Sequence, residues 1–351
     1  MLRRYLTGLF LTRFLGSLLG LSAILQLLDL LDKTGEILTR GGIADIGRFI
    51  GLRLPTLLGE MIPLAALLGA LLTFMRLAAA LEMTAMRAAG LSLWQVLRAL
   101  LPACLLVSVL QFTLQTEVSP RSERAFADWW ARTEPPAAAD MVPPPRLWLR
   151  ARGDVAAIDH VSLDGRRLDG LLIVQRTADG DLDARLDARN ASYRDGRWTL
   201  HDVRIDRPTR VDAELRPSLD WPHGPPPANM VELAQPVDTQ TLGRLIATLR
   251  GRWVGAHGPA YYWTQVEELL ASLFDPLLMV LLTVPVLLAP PRAGNGAGRI
   301  AKGLTLGLGY LVLSGLLGAM GNAGTLPPVM AAWTAMLLFG VYCNIKLLQI
   351  E

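Results

Sequence analysis

Four side chains on one short segment have the types and spacing needed to dock against a partner protein. The segment 77–90 is rich in strong helix formers and ends on a glycine suited to a helix C-cap, which predicts a short helix. Such a helix would expose Glu82, Met83, Met86 and Arg87, and the Glu82 carboxylate could form a charge-assisted hydrogen bond with an arginine. The pattern fits an intracellular helix that docks in a groove on a motor protein. An ordinary solvated loop helix is the alternative interpretation.

A second set of side chains could bind an anionic ligand. These basic residues lie around the outer ends of the first two apolar runs, at Lys33, Arg40, Arg48 and Arg53. Cations at that depth can pair with the phosphates of a lipid headgroup. The same positions also suit plain interfacial anchoring of a membrane helix.

No pattern typical of a catalytic centre accompanies these two sets. Residues 298–303 have the wrong spacing for a Walker A sequence and lack Ser or Thr after the lysine, and no Gly-x-Ser-x-Gly or His-Glu-x-x-His occurs. Cys104 and Cys343 lie inside apolar runs, and the four histidines lack metal-ligand spacing. We therefore predict that the chain is not an enzyme and holds no cofactor or metal.

The elements that must position these side chains are membrane helices. Of 351 residues, 52% are apolar and only 19% are charged, so most of the apolar surface must face lipid. Charge-sparse runs near bilayer length cover residues 6–31, 54–75, 99–116, 269–291 and 303–345. The last run is too long for one span, and the glycines and prolines of residues 321–328 divide it. The sequence therefore predicts six transmembrane helices.

The charges of the loops predict the orientation of these helices. If both termini are cytoplasmic, ten basic residues lie on the inner side and four in the short outer loops, as the positive-inside rule favours. The segment between spans three and four then lies outside, in the periplasm of a Gram-negative envelope. The formal net charge of +3 is too small to imply a nucleic-acid partner.

The outer segment has the pattern of a β domain. It holds 20 of the 34 basic and 21 of the 31 acidic residues, and residues 182–189 alternate apolar and charged side chains. Asp-Gly dipeptides mark tight turns, which indicates an antiparallel meander or jelly roll. The alternation slips between Leu200 and Val203, which predicts a bulge.

The predicted fold class is therefore a membrane α-helical protein, with six transmembrane helices arranged 3+3 and an inserted periplasmic all-β, jelly-roll-like domain. Residues 1–116 would form helices one to three, with the docking helix at about 77–90. Residues 117–262 would form the β domain with its flanking linkers, and residues 263–351 helices four to six.

Several segments resemble the LptF/LptG family of lipopolysaccharide-export permeases over essentially the whole chain. The similar segments are Pro63–Leu72, Glu82–Gly90, Leu147–Arg150, Gly298–Gly303 and Leu326–Trp333. The β domain and its Leu-Trp-Leu-Arg opening look more like LptG than LptF.

This resemblance implies a permease subunit of an ABC transporter in the bacterial inner membrane. Such a complex extracts lipopolysaccharide from that membrane and passes it to a periplasmic bridge towards the outer membrane. The implied partners are an LptF-like permease in a heterodimer, an LptB-like ATPase dimer that carries ATP-Mg, and an LptC-like bitopic bridge protein.

The resemblance also implies roles for individual residues. Glu82 matches the glutamate of the family's coupling helix, which contacts the ATPase, and Arg87 lies on the same helix. Lys33 matches an outer basic position of span one that meets lipid phosphates, whereas Gln26 stands at the family's second basic position. Spans one and five would flank the lateral gates.

Two other functions remain open on the residues alone. A secondary transporter would need ionisable groups at mid-membrane and often an internal repeat, and the two halves show no obvious similarity. A membrane-anchored periplasmic assembly or binding protein would need only one anchor, which leaves five spans unexplained.

Overall fold

The computed structural model describes residues 2–40, 42–133, 146–151, 154–162, 164–176, 181–208, 212–233, 241–249, 258–287 and 296–349. The chain divides into two units. One comprises Met1–Trp129 with Trp263–Glu351, and the other comprises Trp130–Tyr262.

The helical stretches before the sheet contain the first three predicted spans and extend well beyond them. They are α1 (Leu2–Arg40), α2 (Ala44–Ala79), α3 (Glu82–Ala88), α4 (Leu93–Thr113) and α5 (Ser119–Arg132). Ser92 caps α4 through a capping box with Gln95. The helix of the third predicted span continues past residue 116, because a π-helical segment, Leu114–Val118, joins α4 to α5 without a break.

The later helices are shorter or interrupted. They are α6 (Pro227–Leu233), α7 (Leu242–Leu249), α8 (Pro259–Ala271), α9 (Asp275–Leu287), α10 (Gly296–Asn322) and α11 (Pro328–Leu348). The fourth predicted span is divided, because a 3₁₀ turn at Ser272–Phe274 separates α8 from α9. The predicted break at residues 321–328 is confirmed, since α10 ends at Asn322 and α11 begins at Pro328.

Five helices among the described residues are long and apolar enough to cross a membrane. These spans are Leu2–Thr39, Ala44–Ala79, Trp94–Trp130, Ile300–Asn322 and Pro328–Leu348. The interrupted α8–α9 segment is the sixth apolar helical segment. A helical membrane protein with an inserted β domain is thereby confirmed.

The core of the helical unit is built on close contact between α1 and α2. Leu6, Phe10, Phe14 and Leu18 recur every four residues on α1 and are buried. A Cβ atom added at Gly69 of α2 would lie 2.8 Å from the Cα atom of Phe14. The missing side chain therefore lets the two backbones approach, as small residues commonly do in membrane helices.

The β unit contains one antiparallel sheet in the described residues. Its strands are β1 (Leu147–Ala151), β2 (Asp154–Val161), β3 (Arg167–Arg176), β4 (Leu182–Arg194), β5 (Arg197–Asp206) and β6 (Glu214–Trp221). They pair in the order in which they occur along the chain, so of the two predicted arrangements the sheet follows the meander. Trp198 and Trp221 pair across β5 and β6, and both are buried in a cluster that includes Met230 of α6.

The irregularity predicted between Leu200 and Val203 is not a bulge. Leu200 pairs with Ala191 and Val203 with Ala188, so the offset between β4 and β5 is the same on both sides. Asp202 lies between them with a φ of 54°. The alternation of buried and exposed side chains shifts by one residue on both strands at the same place. All four paired residues are therefore buried on the same face of the sheet. A bulge would instead have placed an extra residue on one strand.

Candidate functional site

The segment predicted to dock a partner begins at a tight corner between α2 and α3. The backbone N–H groups of Ala80 and Leu81 donate to carbonyls in the last turn of α2, at 2.9 and 3.1 Å. Leu81 then adopts a φ of 59°, in the left-handed region that leucine rarely occupies. Ala85 donates to the Leu81 carbonyl at 3.0 Å and so begins α3. The corner is therefore a defined turn, and residues 77–79 belong to α2.

The far end of α3 has the glycine cap that the sequence predicts. Gly90 has a φ of 82°, and the N–H of Leu91 donates to the Met86 carbonyl at 3.0 Å. This six-to-one hydrogen bond is typical of a Schellman cap. Both ends of α3 are thus fixed by backbone hydrogen bonds.

Glu82 is held by a residue that lies far away along the chain. The hydroxyl of Tyr5, near the start of α1, donates to Oε1 of Glu82 at 3.1 Å. Glu82 is half-buried, whereas 44% of the Tyr5 surface is exposed. The bond fixes the carboxylate beside the N-terminal end of α1, and no local sequence pattern signals it.

The two methionines predicted to be exposed lie against the bundle instead. Met83 and Met86 are half-buried and pack against the hydrophobic core of the helical unit. The side chain of Arg87 lies outside the described part of the chain. The outward surface of the corner is formed by Leu81, 68% exposed, with exposed Thr84, Ala85 and Ala88. The exposed position of Leu81 could not be predicted, because nothing in the sequence marks a leucine for a positive φ.

The basic residues of the second set lie at the opposite end of α1. Lys33 forms an exposed ion pair with Glu36 at 3.3 Å. The guanidinium of Arg48 lies 5.5 Å from the ring centroid of Trp129, which is a cation–π distance. The side chain of Arg40 lies outside the described residues. Lys33 is partly exposed and Arg48 is exposed, so a ligand can reach both side chains.

Arg53 is engaged with protein carboxylates on two other helices. Its Nε lies 3.1 Å from Asp29 of α1, and its Nη1 lies 3.0 Å from Glu123 of α5. Thr56 also donates to Glu123, at 2.6 Å, and the guanidinium lies 5.6 Å from the Phe126 ring. Arg53 therefore joins three helices at this end of the unit. The pairing could not be read from the sequence, since the partners are 24 and 70 residues away.

The buried stripe of α1 becomes polar as it approaches Asp29. Ser22 and Gln26 continue the four-residue repeat and are 1% and 7% exposed. Neither the Ser22 hydroxyl nor the Gln26 amide has a hydrogen-bond partner among the described residues. Buried polar groups without partners are costly, so this part of α1 contributes less stability than the Phe14 contact.

The described residues contain no group of three or more His, Cys, Asp or Glu side chains that could hold a metal ion. The chemistry that the arrangement offers is docking and ion pairing at two opposite ends of α1. One end presents α3 with Glu82, and the other presents Lys33, Arg48 and the Arg53 network.

Comparison with known proteins gives a consistent result. A family model described as "Lipopolysaccharide export system permease LptF/LptG" matches residues 4–349. The chain is 23% identical to the lipopolysaccharide export system permease protein LptG of Escherichia coli K12 over 338 residues, which covers 93% of this chain and 90% of that protein. It is 24% identical to LptG of Haemophilus influenzae over 340 residues, which covers 92% of this chain and 90% of that protein.

Proposed function

This chain belongs to the LptF/LptG family of lipopolysaccharide export system permeases and is an LptG-like permease subunit, and we propose that it works within an ABC exporter driven by a separate ATPase. It is a non-catalytic, multi-pass protein of the inner membrane. Removing a lipid from a bilayer costs about 0.8 kcal/mol for every CH₂ that leaves the hydrocarbon. A lipid with several acyl chains therefore needs an external energy source, which another subunit would supply as ATP-Mg.

In this proposal both termini and α3 face the cytoplasm, and the β unit faces the periplasm. The Tyr5–Glu82 hydrogen bond supports a common side for the N-terminus and α3, because it joins them directly. Positive charge supports the cytoplasm as that side, since Arg3, Arg4, Arg76 and Arg98 all lie near these helix ends.

The observation that carries the proposal is the corner between α2 and α3. Its outward side presents Leu81 to a partner, while its inward side is fixed to the bundle by Tyr5, Met83 and Met86. An LptB-like ATPase that binds the outward side would move α3, and the packed inward side would pass that movement to α1 and α2. Glu82 would form the charge-assisted contact with the ATPase, and Arg87 would assist on the same helix.

The lipid would be held at the opposite end of α1. Lys33 would exchange Glu36 for a lipopolysaccharide phosphate, a modest change because exposed ion pairs contribute only about 0–1 kcal/mol. Arg40 and Arg48 would add further cationic contacts. Arg53 would act indirectly. Its ion pairs with Asp29 and Glu123 would keep α1, α2 and α5 together beside the lipid. Gln26 offers an amide where a cation would bind phosphate more strongly.

The remaining partners follow from the same assignment. An LptF-like permease would complete a heterodimer, and an LptC-like bitopic bridge protein would receive the lipid in the periplasm. Alternate residues of the strands form one buried apolar face of the sheet, and acyl chains that enter the β unit would lie against this face.

Affinity purification of the full chain in mild detergent, followed by identification of the subunits that accompany it, tests this function. We expect an ATPase and a second six-span homologue, and no ATP hydrolysis by the chain when it is purified alone. Hydrolysis by a preparation free of other subunits would contradict the proposal. Recovery of the chain without any ATPase would contradict it as well.

A further inference from the structure

A groove between the first turn of α1 and the first half of α4 has no role in the function proposed above. Its volume is about 580 Å³, and its lining is formed by Arg3, Gln95, Arg98, Ala99, Leu101, Pro102 and Leu105. The lining is divided by chemistry, because the polar side chains lie at the start of the helices and the apolar ones follow further along α4. Such a division matches a ligand with a charged head and an apolar tail.

The polar end of the groove carries positive charge without a protein counter-charge. Arg3 and Arg98 are both exposed, and neither has a hydrogen bond or ion pair within the part of the chain that the structure describes. No acidic side chain is among the described residues of the lining. Two guanidinium groups without a carboxylate partner are suited to bind a phosphate, which accepts their donors in a fork geometry.

Gln95 provides a further donor at the same end. Its Oε1 accepts a hydrogen bond from the backbone N–H of Ser92 at 3.1 Å, as part of the capping box of α4. The Nε2 group of Gln95 remains as a donor on the groove wall. The polar end therefore offers two cations and one amide donor to an anionic group.

The apolar end of the groove lies further along α4, within the stretch that is apolar enough to cross a membrane. Seven residues separate Arg98 from Leu105 along α4, which corresponds to about 10 Å at 1.5 Å per residue. Leu101 and Leu105 are 48% and 63% exposed, on a helix apolar enough to cross the membrane. Pro102 lies inside α4 and forms the groove wall between these two leucines.

We propose that this groove binds an anionic phospholipid of the leaflet at the N-terminal end of α1. Its phosphate lies between Arg3 and Arg98, with Gln95 as an additional donor, and one acyl chain lies along Leu101, Pro102 and Leu105. Basic pockets between membrane helices commonly bind anionic headgroups in this way. The bound lipid joins the first turn of α1 to α4, close to the end of the unit that carries α3.

Lipid titration of the complex purified in mild detergent tests the proposal, with native mass spectrometry as the measurement. Dioleoylphosphatidylglycerol is the probe, and dioleoylphosphatidylcholine and inorganic phosphate are the comparisons. We expect dioleoylphosphatidylglycerol to bind most tightly. The phosphatidylcholine headgroup is zwitterionic, and inorganic phosphate lacks the acyl chain. Equal affinity for the two lipids, or full competition by inorganic phosphate, would overturn the proposal.

Matched variants separate a built site from general attraction to a charged surface. R3Q and R98Q should each weaken binding by about fivefold, the effect of one basic residue near an anionic surface, and R3Q/R98Q by about 25-fold. R4Q removes an adjacent exposed arginine that does not line the groove and should change binding by less than about twofold. An equal loss in R4Q and R98Q would show diffuse attraction and refute the site.

The apolar end has its own pair of variants. L105W fills the groove and should reduce binding, whereas L106W alters a neighbouring lipid-facing leucine outside the lining and should not. Both substitutions keep α4 apolar, so insertion into the membrane is preserved. Equal binding by L105W, L106W and the unmodified chain would contradict the acyl-chain assignment.

Discussion

The hydroxyl of Tyr5 and the carboxylate of Glu82 meet at 3.1 Å although 77 residues separate them. Their hydrogen bond joins α1 to the first turn of α3, and Met83 and Met86 pack against the core of the same unit. A displacement of α3 would therefore be carried into the bundle. This connection is the physical basis for proposing that α3 transmits a push from a partner ATPase.

Replacing Leu81 with glycine should weaken attachment of the ATPase without lowering the melting temperature. Glycine adopts a φ of 59° freely, whereas leucine there costs about 1–2 kcal/mol, so the fold is not destabilised. The lost side chain contributes about 1.5–3 kcal/mol if a partner buries it fully, which corresponds to about tenfold or more in affinity. Co-purification and thermal unfolding of the same preparation measure the two effects.

Leu81→Asn is a second variant that tests the same contact. Asparagine also tolerates the left-handed conformation, but its side chain is polar. It should keep the melting temperature and lose attachment, as the glycine variant does. Full attachment in both variants would show that Leu81 makes no contact with the ATPase.

Replacing Arg53 with glutamine should destabilise the helical unit by about 2 kcal/mol or more. The change leaves Asp29 and Glu123 without their cation, and hydrogen bonds to charged groups contribute about 1.5–3 kcal/mol each. Arg48→Gln is the control, because its exposed cation–π contact contributes only about 0.5–1 kcal/mol. Thermal unfolding in detergent should show the larger loss for Arg53, and equal losses would count against a structural role for the network.

Replacing Gly69 with alanine should force α1 away from α2. The new Cβ atom would lie 2.8 Å from the Phe14 backbone, and overpacking of this kind costs about 1–3 kcal/mol. Gly51→Ala on the same helix meets no atom within 4 Å and should be neutral or slightly stabilising. A lower melting temperature for Gly69→Ala alone is the expected result, and an unchanged one would refute the close α1–α2 approach.

The sequence predicted the elements whose signals are periodic or compositional. Runs without charge located the spans, and alternation located the strands of the sheet. The glycines and prolines at 321–328 marked the turn between α10 and α11. Gly90 marked the end of α3, because glycine is the residue that most often takes the left-handed conformation after the last turn of a helix.

The contacts that position the site could not be predicted in the same way. Tyr5–Glu82 and Arg53–Glu123 join residues that are distant along the chain, and their distances depend on how the helices pack. Leu81 contradicts the preference of its own residue type, so local rules exclude the conformation that it adopts. The methionines of α3 were predicted to be exposed because no sequence signal shows which face of a seven-residue helix meets the bundle.

The amount of ATPase that co-purifies with a Glu82→Ala variant of the full chain, measured beside Tyr5→Phe, tests the coupling role of Glu82. Loss of a charged contact of this kind costs about 2–5 kcal/mol, or about 30-fold or more in affinity. We expect Glu82→Ala to lose the ATPase and lipopolysaccharide export, whereas Tyr5→Phe, which removes the same hydrogen bond but keeps the carboxylate, should retain the ATPase at a similar melting temperature. Unchanged ATPase attachment and unchanged lipopolysaccharide export in Glu82→Ala would contradict the coupling role of Glu82.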